Sequence, residues 1–116
     1  MVHLVLHVLV PVVTARALDP TRWRSAALLM LGTMLVDVDH LLAEPIYDAQ
    51  RCSIGFHPLH GLGPVAVYVV VALVAGAGYR VARRSGTSET QRWRAGFFLG
   101  CGLVIHMALD GLDCVI

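Results

Sequence analysis

The sequence predicts an all-α membrane protein: one domain, a bundle of four transmembrane helices. Three observations carry this. Apolar residues make up 57% of the chain and charged residues 15%, against ~45–50% and about 25% in a typical soluble domain. With 116 residues, a water-soluble globule would leave much of that apolar surface wet. The apolar residues also fall into separate stretches with no polar–apolar alternation of the kind a barrel strand would show.

The first stretch, residues 2–17, is short and contains Pro11, so a kinked or tilted helix is expected. No Lys or Arg precedes it and Arg16 follows it, which argues for a retained helix rather than a cleaved signal peptide. The second stretch, 23–42, the third, 57–79, and the fourth, 95–116, each fit the roughly 17–25 residues a spanning helix needs. Gly96, Gly100 and Gly102 suit close packing of the last helix. The connectors are 18–22, 43–56 and 80–94, the last with a flexible Ser85-Gly86-Thr87-Ser88 turn.

Charge orients the bundle. Arg16, Arg22, Arg24, Arg80, Arg83, Arg84, Arg92 and Arg94 fall on one side and only Arg51 on the other. Short loops with that asymmetry place the basic side in the cytoplasm. Both termini and the 43–56 connector then face outward, toward a periplasm or cell exterior. A net charge of +1 leaves no basic footprint for nucleic acid. The nine cations are all arginine, which excludes Schiff-base lysine chemistry and a P-loop lysine. The three cysteines show no C-x-x-C spacing, so no zinc ribbon or thioredoxin motif is present.

All six histidines, His3, His7, His40, His57, His60 and His106, lie in the outward half under this topology. Asp37, Asp39, Asp110 and Asp113 join them at the same depth. The spacings are helical: His3 and His7 are four apart, Asp37 and His40 three apart, and His106, Asp110 and Asp113 share one stripe. Asp39 falls on another face unless the helix end unwinds. A carboxylate one turn from a histidine is the pattern of inward-facing metal sites in bundles.

Bare carboxylates in a low-dielectric setting are costly, and no arginine balances these four. Divalent cations would neutralise the acids and use the imidazole lone pairs. Ten candidate ligands exceed the four of a single zinc, so two ions are expected, with some residues orienting the ligands. Zinc heads the candidates; manganese and iron also suit a His/Asp set. Bland alternatives stand beside this: an intramembrane histidine often serves helix–helix hydrogen bonding, and His3 sits near a chain end.

Arg51 and Cys52 belong to the outward loop, and Cys101 to the last helix. Arg51, the lone outward arginine, is either an anion clamp or the partner of Glu44 or Asp48. Cys52 is either disulfide-bonded to Cys114 or free to ligate. Cys101, in mid-membrane, reads as small packing.

Three strings carry a resemblance: Leu35-Val36-Asp37-Val38-Asp39-His40, Arg51-Cys52-Ser53-Ile54-Gly55-Phe56-His57-Pro58-Leu59-His60, and His106-Met107-Ala108-Leu109-Asp110. With His3, His7 and the closing Asp113-Cys114, they resemble a bacterial membrane family of unknown function that carries an Arg-Cys-Ser-Ile-x-Phe-His-Pro-Leu-His block. More distantly the chain is similar to the inner-membrane metal-dependent hydrolases described as LexA-binding, with Val36 in place of a proline and Phe56-His57-Pro58 in place of Thr-His-Ser. The resemblance implies shared metal ligands rather than a shared substrate.

The expectation is therefore a metal-dependent hydrolase of a lipid or polyprenyl phosphoester at the outward membrane–water boundary. Its metal ligands are expected among the ten His and Asp residues, with Asp39 or Asp113 as bridging ligand or general base and Arg51 stabilising phosphoryl charge. The rival readings are a di-iron lipid oxidase and a non-enzymatic metal-binding or structural membrane protein. A homodimer is compatible with so few helices.

Overall fold

A computed structural model describes residues 2–116. Among them every regular element is helical. Helix α1 runs Val2–Leu18, continuous through the buried Pro11. Helix α2, Trp23–Gly32, passes directly into a 3-10 segment, Thr33–Leu42. A long loop and a 3-10 turn, Pro58–His60, lead to α3, Leu62–Ser85, and then to α4, Thr90–Val115. Three segments are long and apolar enough to cross a membrane: Trp23–Leu42, Leu62–Ser85 and Thr90–Val115; Val2–Leu18 is shorter.

The second span departs from a plain α-helix. Thr33 bonds its hydroxyl back to the carbonyl of Met30, a local bond that competes with the helical ladder. Beyond it the chain takes three residues per turn, and side chains at i and i+3 eclipse. Thr33, Val36 and Asp39 therefore form one buried row, and Asp37 and His40 form the next. A rise of about 2.0 Å per residue also lengthens these ten residues to roughly 20 Å.

The third helix starts and ends later than its apolar run. His57 precedes Pro58 and is extended, with φ −82° and ψ 145°, as the ring of a following proline demands. Gly61 is extended too, so the helix begins at Leu62. It continues through the arginines to Ser85 and is ended by Gly86 in the left-handed conformation, φ +65°. With α4 starting at Thr90, the expected 80–94 connector shrinks to four residues, Gly86 to Glu89.

Helix α4 is the hub. It packs against α1, α2 and α3, and it is the main long-helix partner of α3. Two glycines make this possible. A Cβ on Gly100 would lie 2.7 Å from the Ala72 backbone of α3, and one on Gly102 would lie 2.8 Å from the Met30 backbone of α2. The close approach brings Ala15, Ala26, Ala27, Met30 and Phe98 into the core. Large apolar residues such as Val67, Leu73 and Val74 of α3 point outward, on a helix long and apolar enough to cross a membrane.

At the basic end, Arg94 is not a free surface cation. It is buried and grips Asp19 Oδ2 through Nη2 at 2.8 Å and Nε at 2.9 Å, while Nη2 also donates to Ser25 Oγ and the Arg22 carbonyl. The α1–α2 turn is thereby tied to the start of α4. Burial alone would raise the Asp19 carboxyl, but the bonds from Arg94 outweigh it and hold the group below the ordinary aspartate range.

Candidate metal centre

At the end of the bundle opposite Arg94, each segment brings polar side chains to one level. Asp37 comes from the 3-10 segment, His60 from the turn before α3, and His106 and Asp110 from successive turns of α4. Their tips converge. Asp37 Oδ1 lies 2.9 Å from His106 Nε2 and 3.3 Å from His60 Nε2. Asp110 Oδ2 lies 3.1 Å from His60 Nε2 and 3.3 Å from His106 Nε2. All four atoms fall within 4.8 Å of one another.

These separations have a simple meaning. Ligands at ~2.0–2.1 Å around a tetrahedral ion lie about 3.3 Å apart along each edge. His60 Nε2 and Asp110 Oδ2 are moreover buried without a hydrogen-bond partner. They approach each other but not in hydrogen-bonding alignment. Orphaned buried polar atoms are costly, and a shared cation is the partner that would satisfy both. The residues present therefore fit a four-coordinate divalent ion.

Asp110 reaches a second group with its other oxygen. Its Oδ1 lies 3.2 Å from Nε2 of both His3 and His7, and these three form a further candidate cluster. His7 Nδ1 sits 3.0 Å from the His3 carbonyl, a bond that places the proton on Nδ1 and leaves Nε2 as the lone-pair donor. Asp110 thus sits between two groups of imidazoles, one facing each of its oxygens.

Asp39 has a different place from the one expected. Its Oδ2 accepts from His60 Nδ1 at 3.1 Å and from the Leu59 backbone N–H at 2.8 Å; its Oδ1 lies 3.1 Å from His40 Nδ1. Both oxygens face protein groups, and from behind the ring Asp39 orients His60. The 3-10 period is the reason, because it turns Asp39 into the buried row, toward the Leu59–His60 turn.

His40 is likewise occupied. Its Nε2 faces Ser53 Oγ at 3.1 Å, and its ring stacks on His57 at 3.8 Å. Asp39, His40 and His57 make a third cluster with metal-binding geometry; the His40 nitrogens face Asp39 and Ser53, and the His57 ring contributes through its stack on His40. Burial, then the adjacent His40, lowers the His57 pKa from its ordinary value. His60 goes the other way: burial opposes the charged ring, yet the carboxylates of Asp110, Asp37 and Asp39 raise it to about 10. The field that would hold that proton is the one that would attract a cation.

Above this level lies a pocket of about 230 Å³, lined by Gln50, Arg51, Ser53, Asp110 and Asp113 among others. Asp113 is 65% exposed and 3.6 Å from His3 Nδ1. Arg51 pairs with neither Glu44 nor Asp48 through its side chain. Its Nη1 donates to the Pro45 carbonyl at 2.7 Å and the guanidinium rides over Phe56. A Cys52–Cys114 disulfide ties the loop to the end of α4 and leaves Cys52 no thiolate for a metal. Spacing alone gave no signal for the roles of Ser53 or the Leu59 N–H, although both lie inside the Arg51–His60 block.

A family model described as "Family of unknown function (DUF6122)" matches residues 1–81. The match ends within α3, so His106, Asp110 and Asp113 lie beyond it. No curated protein and no solved structure matches the chain.

Proposed function

The chain belongs to the DUF6122 family of unknown function, and from that premise we propose that it is a membrane-embedded, metal-dependent hydrolase acting on a phosphoester of a lipid or polyprenyl head group. In this reading the four helices cross a bacterial plasma membrane, and the His/Asp end with both termini faces the periplasm or exterior. The arginine asymmetry supports that orientation.

The observation that carries the reading is the pair of buried, partnerless atoms, His60 Nε2 and Asp110 Oδ2, facing Asp37 and His106 at coordination spacing. Asp37, His60, His106 and Asp110 would hold one divalent ion; His3, His7 and the second oxygen of Asp110 would hold another. Zinc suits the tetrahedral nitrogen and oxygen set, and manganese or iron suits the same donors. Such ions, when bound, supply Lewis acidity and an ionisable water at neutral pH.

The chain's own residues supply the rest. Asp39 fixes the His60 ring and keeps its proton on Nδ1. Arg51, at the pocket wall, presents a guanidinium suited to phosphate oxygens. Asp113, exposed at the same pocket, is the carboxylate free to accept a proton. The pocket lies at the end of the bundle, where a head group rather than an acyl chain would reach it.

The test is elemental analysis of purified, metal-replete protein together with a panel of lipid phosphoesters. Two ions per chain and phosphoester cleavage, both lost in Asp110→Ala, are expected. Metal-free protein, or Asp110→Ala with full metal content, overturns the site. Bound iron with oxidative turnover of lipid favours the oxidase reading, and tightly bound metal with no turnover favours a structural one.

A further inference from the structure

The opposite end of the molecule carries a second feature. Helices α1 and α3 both pack on α4, which is the main contact of α3 among the long helices. Along α3, closed by Leu18 of α1 and Phe97 of α4, runs a groove of about 710 Å³, within the ~300–1,000 Å³ range of ligand sites. Leu18, Leu73 and Phe97 give it apolar walls, and Arg80, Arg83 and Arg84 stand at one end. All three arginines are exposed. None pairs with an acid: the described arginine ion pairs are Arg92–Glu89 and Arg94–Asp19.

We propose that this groove binds one anionic phospholipid of the leaflet on the basic side, with its phosphate on the arginines and an acyl chain along α3 and α4. Two features select this occupant. The apolar part runs along helices of spanning length, where a lipid chain lies, and the cations sit at the helix end, where head groups lie. A second copy meeting this face by two-fold symmetry would bring its own three arginines against these, like charge on like. The inference rests on the helices lying in a bilayer and is independent of the metal centre.

The experiment uses the full chain with Trp23→Phe, leaving Trp93 as the sole indole. Trp93 lies on the α3-facing side of α4, against Gly78. The protein is placed in phosphatidylcholine vesicles containing either brominated phosphatidylglycerol or brominated phosphatidylcholine, and Trp93 quenching is followed against mole fraction. Brominated phosphatidylglycerol is expected to quench at a mole fraction at least about fivefold lower, the ratio for one engaged arginine at ~1 kcal/mol. Replacing Arg80, Arg83 and Arg84 by Gln should merge the two curves. Ala77→Phe, which fills the groove and leaves every charge in place, should also shrink the preference. Identical curves for the parent protein overturn the proposal. So does full preference in Ala77→Phe, which would assign the effect to surface charge alone.

Discussion

Asp39 grips His60 from behind: its Oδ2 lies 3.1 Å from the ring Nδ1, and the Leu59 N–H donates to the same oxygen at 2.8 Å. One carboxylate oxygen thus sets both the backbone turn and the imidazole it carries. The opposite nitrogen, Nε2, is left aimed at Asp37 and Asp110.

Asp39→Asn keeps the size of the side chain but removes its charge and lets an amide N–H face the ring. Metal affinity should fall about 10–100-fold, the usual effect of removing a carboxylate behind a ligating histidine. Competition with a chelator of known affinity measures it. An unchanged affinity would show that His60 needs no such support.

Asp19→Asn tests the basic end. Arg94 is buried, and without its anion it would keep only neutral partners, Ser25 and the Arg22 carbonyl. Breaking a buried pair on one side costs about 3–5 kcal/mol. A drop in thermal midpoint in detergent, with metal content unchanged, is the expected outcome. Because the Asp19 pKa is lowered in the fold, its contribution is present above the unfolded value and fades as pH falls through the folded one.

Gly100→Ala and Gly102→Ala probe the hub. Each added methyl meets backbone, Ala72 in one case and Met30 in the other, so no side chain can swing aside. Overpacking of this kind costs about 1–3 kcal/mol. Gly102→Ala should in addition disturb metal content, because it pushes α4 away from the span that carries Asp37; Gly100→Ala should not.

In metal-free protein the proton on His60 helps hold three carboxylates together. Its folded pKa is raised to about 10, above the ordinary 6.5, so this stabilisation is full below about pH 6.5 and is lost as pH climbs toward 10. The chelated protein should lose thermal stability across that window. Metal-loaded protein should not, since there the nitrogen carries no proton to lose.

Much of this arrangement could be read from residue order. Helical spacing of His3 with His7 and of His106 with Asp110, and the confinement of nine arginines almost wholly to one side, point to a polar cluster at one end of an apolar bundle. The choice of bridging residue could not be read. It depends on the 3-10 segment that begins at Thr33, whose period turns Asp39 into the buried row behind His60 while Asp110 faces two groups of imidazoles. The start of α3 at Leu62 was readable in principle from His57-Pro58, since the residue before a proline avoids helical geometry. Arg94 gave no sign in the sequence that it would be buried, because its partner lies 75 residues away.

The Cys52–Cys114 bond closes a ring around the second half of the molecule only. At that end the first half is joined to it by one strand of loop and by side-chain pairs across the divide: Asp37 with His106, Asp39 with His60, His3 and His7 with Asp110. The seam between the halves is thus stitched by the very groups that would hold an ion. A chelator would act there as a mechanical agent, unpicking two hairpins that oxidation cannot fasten to each other.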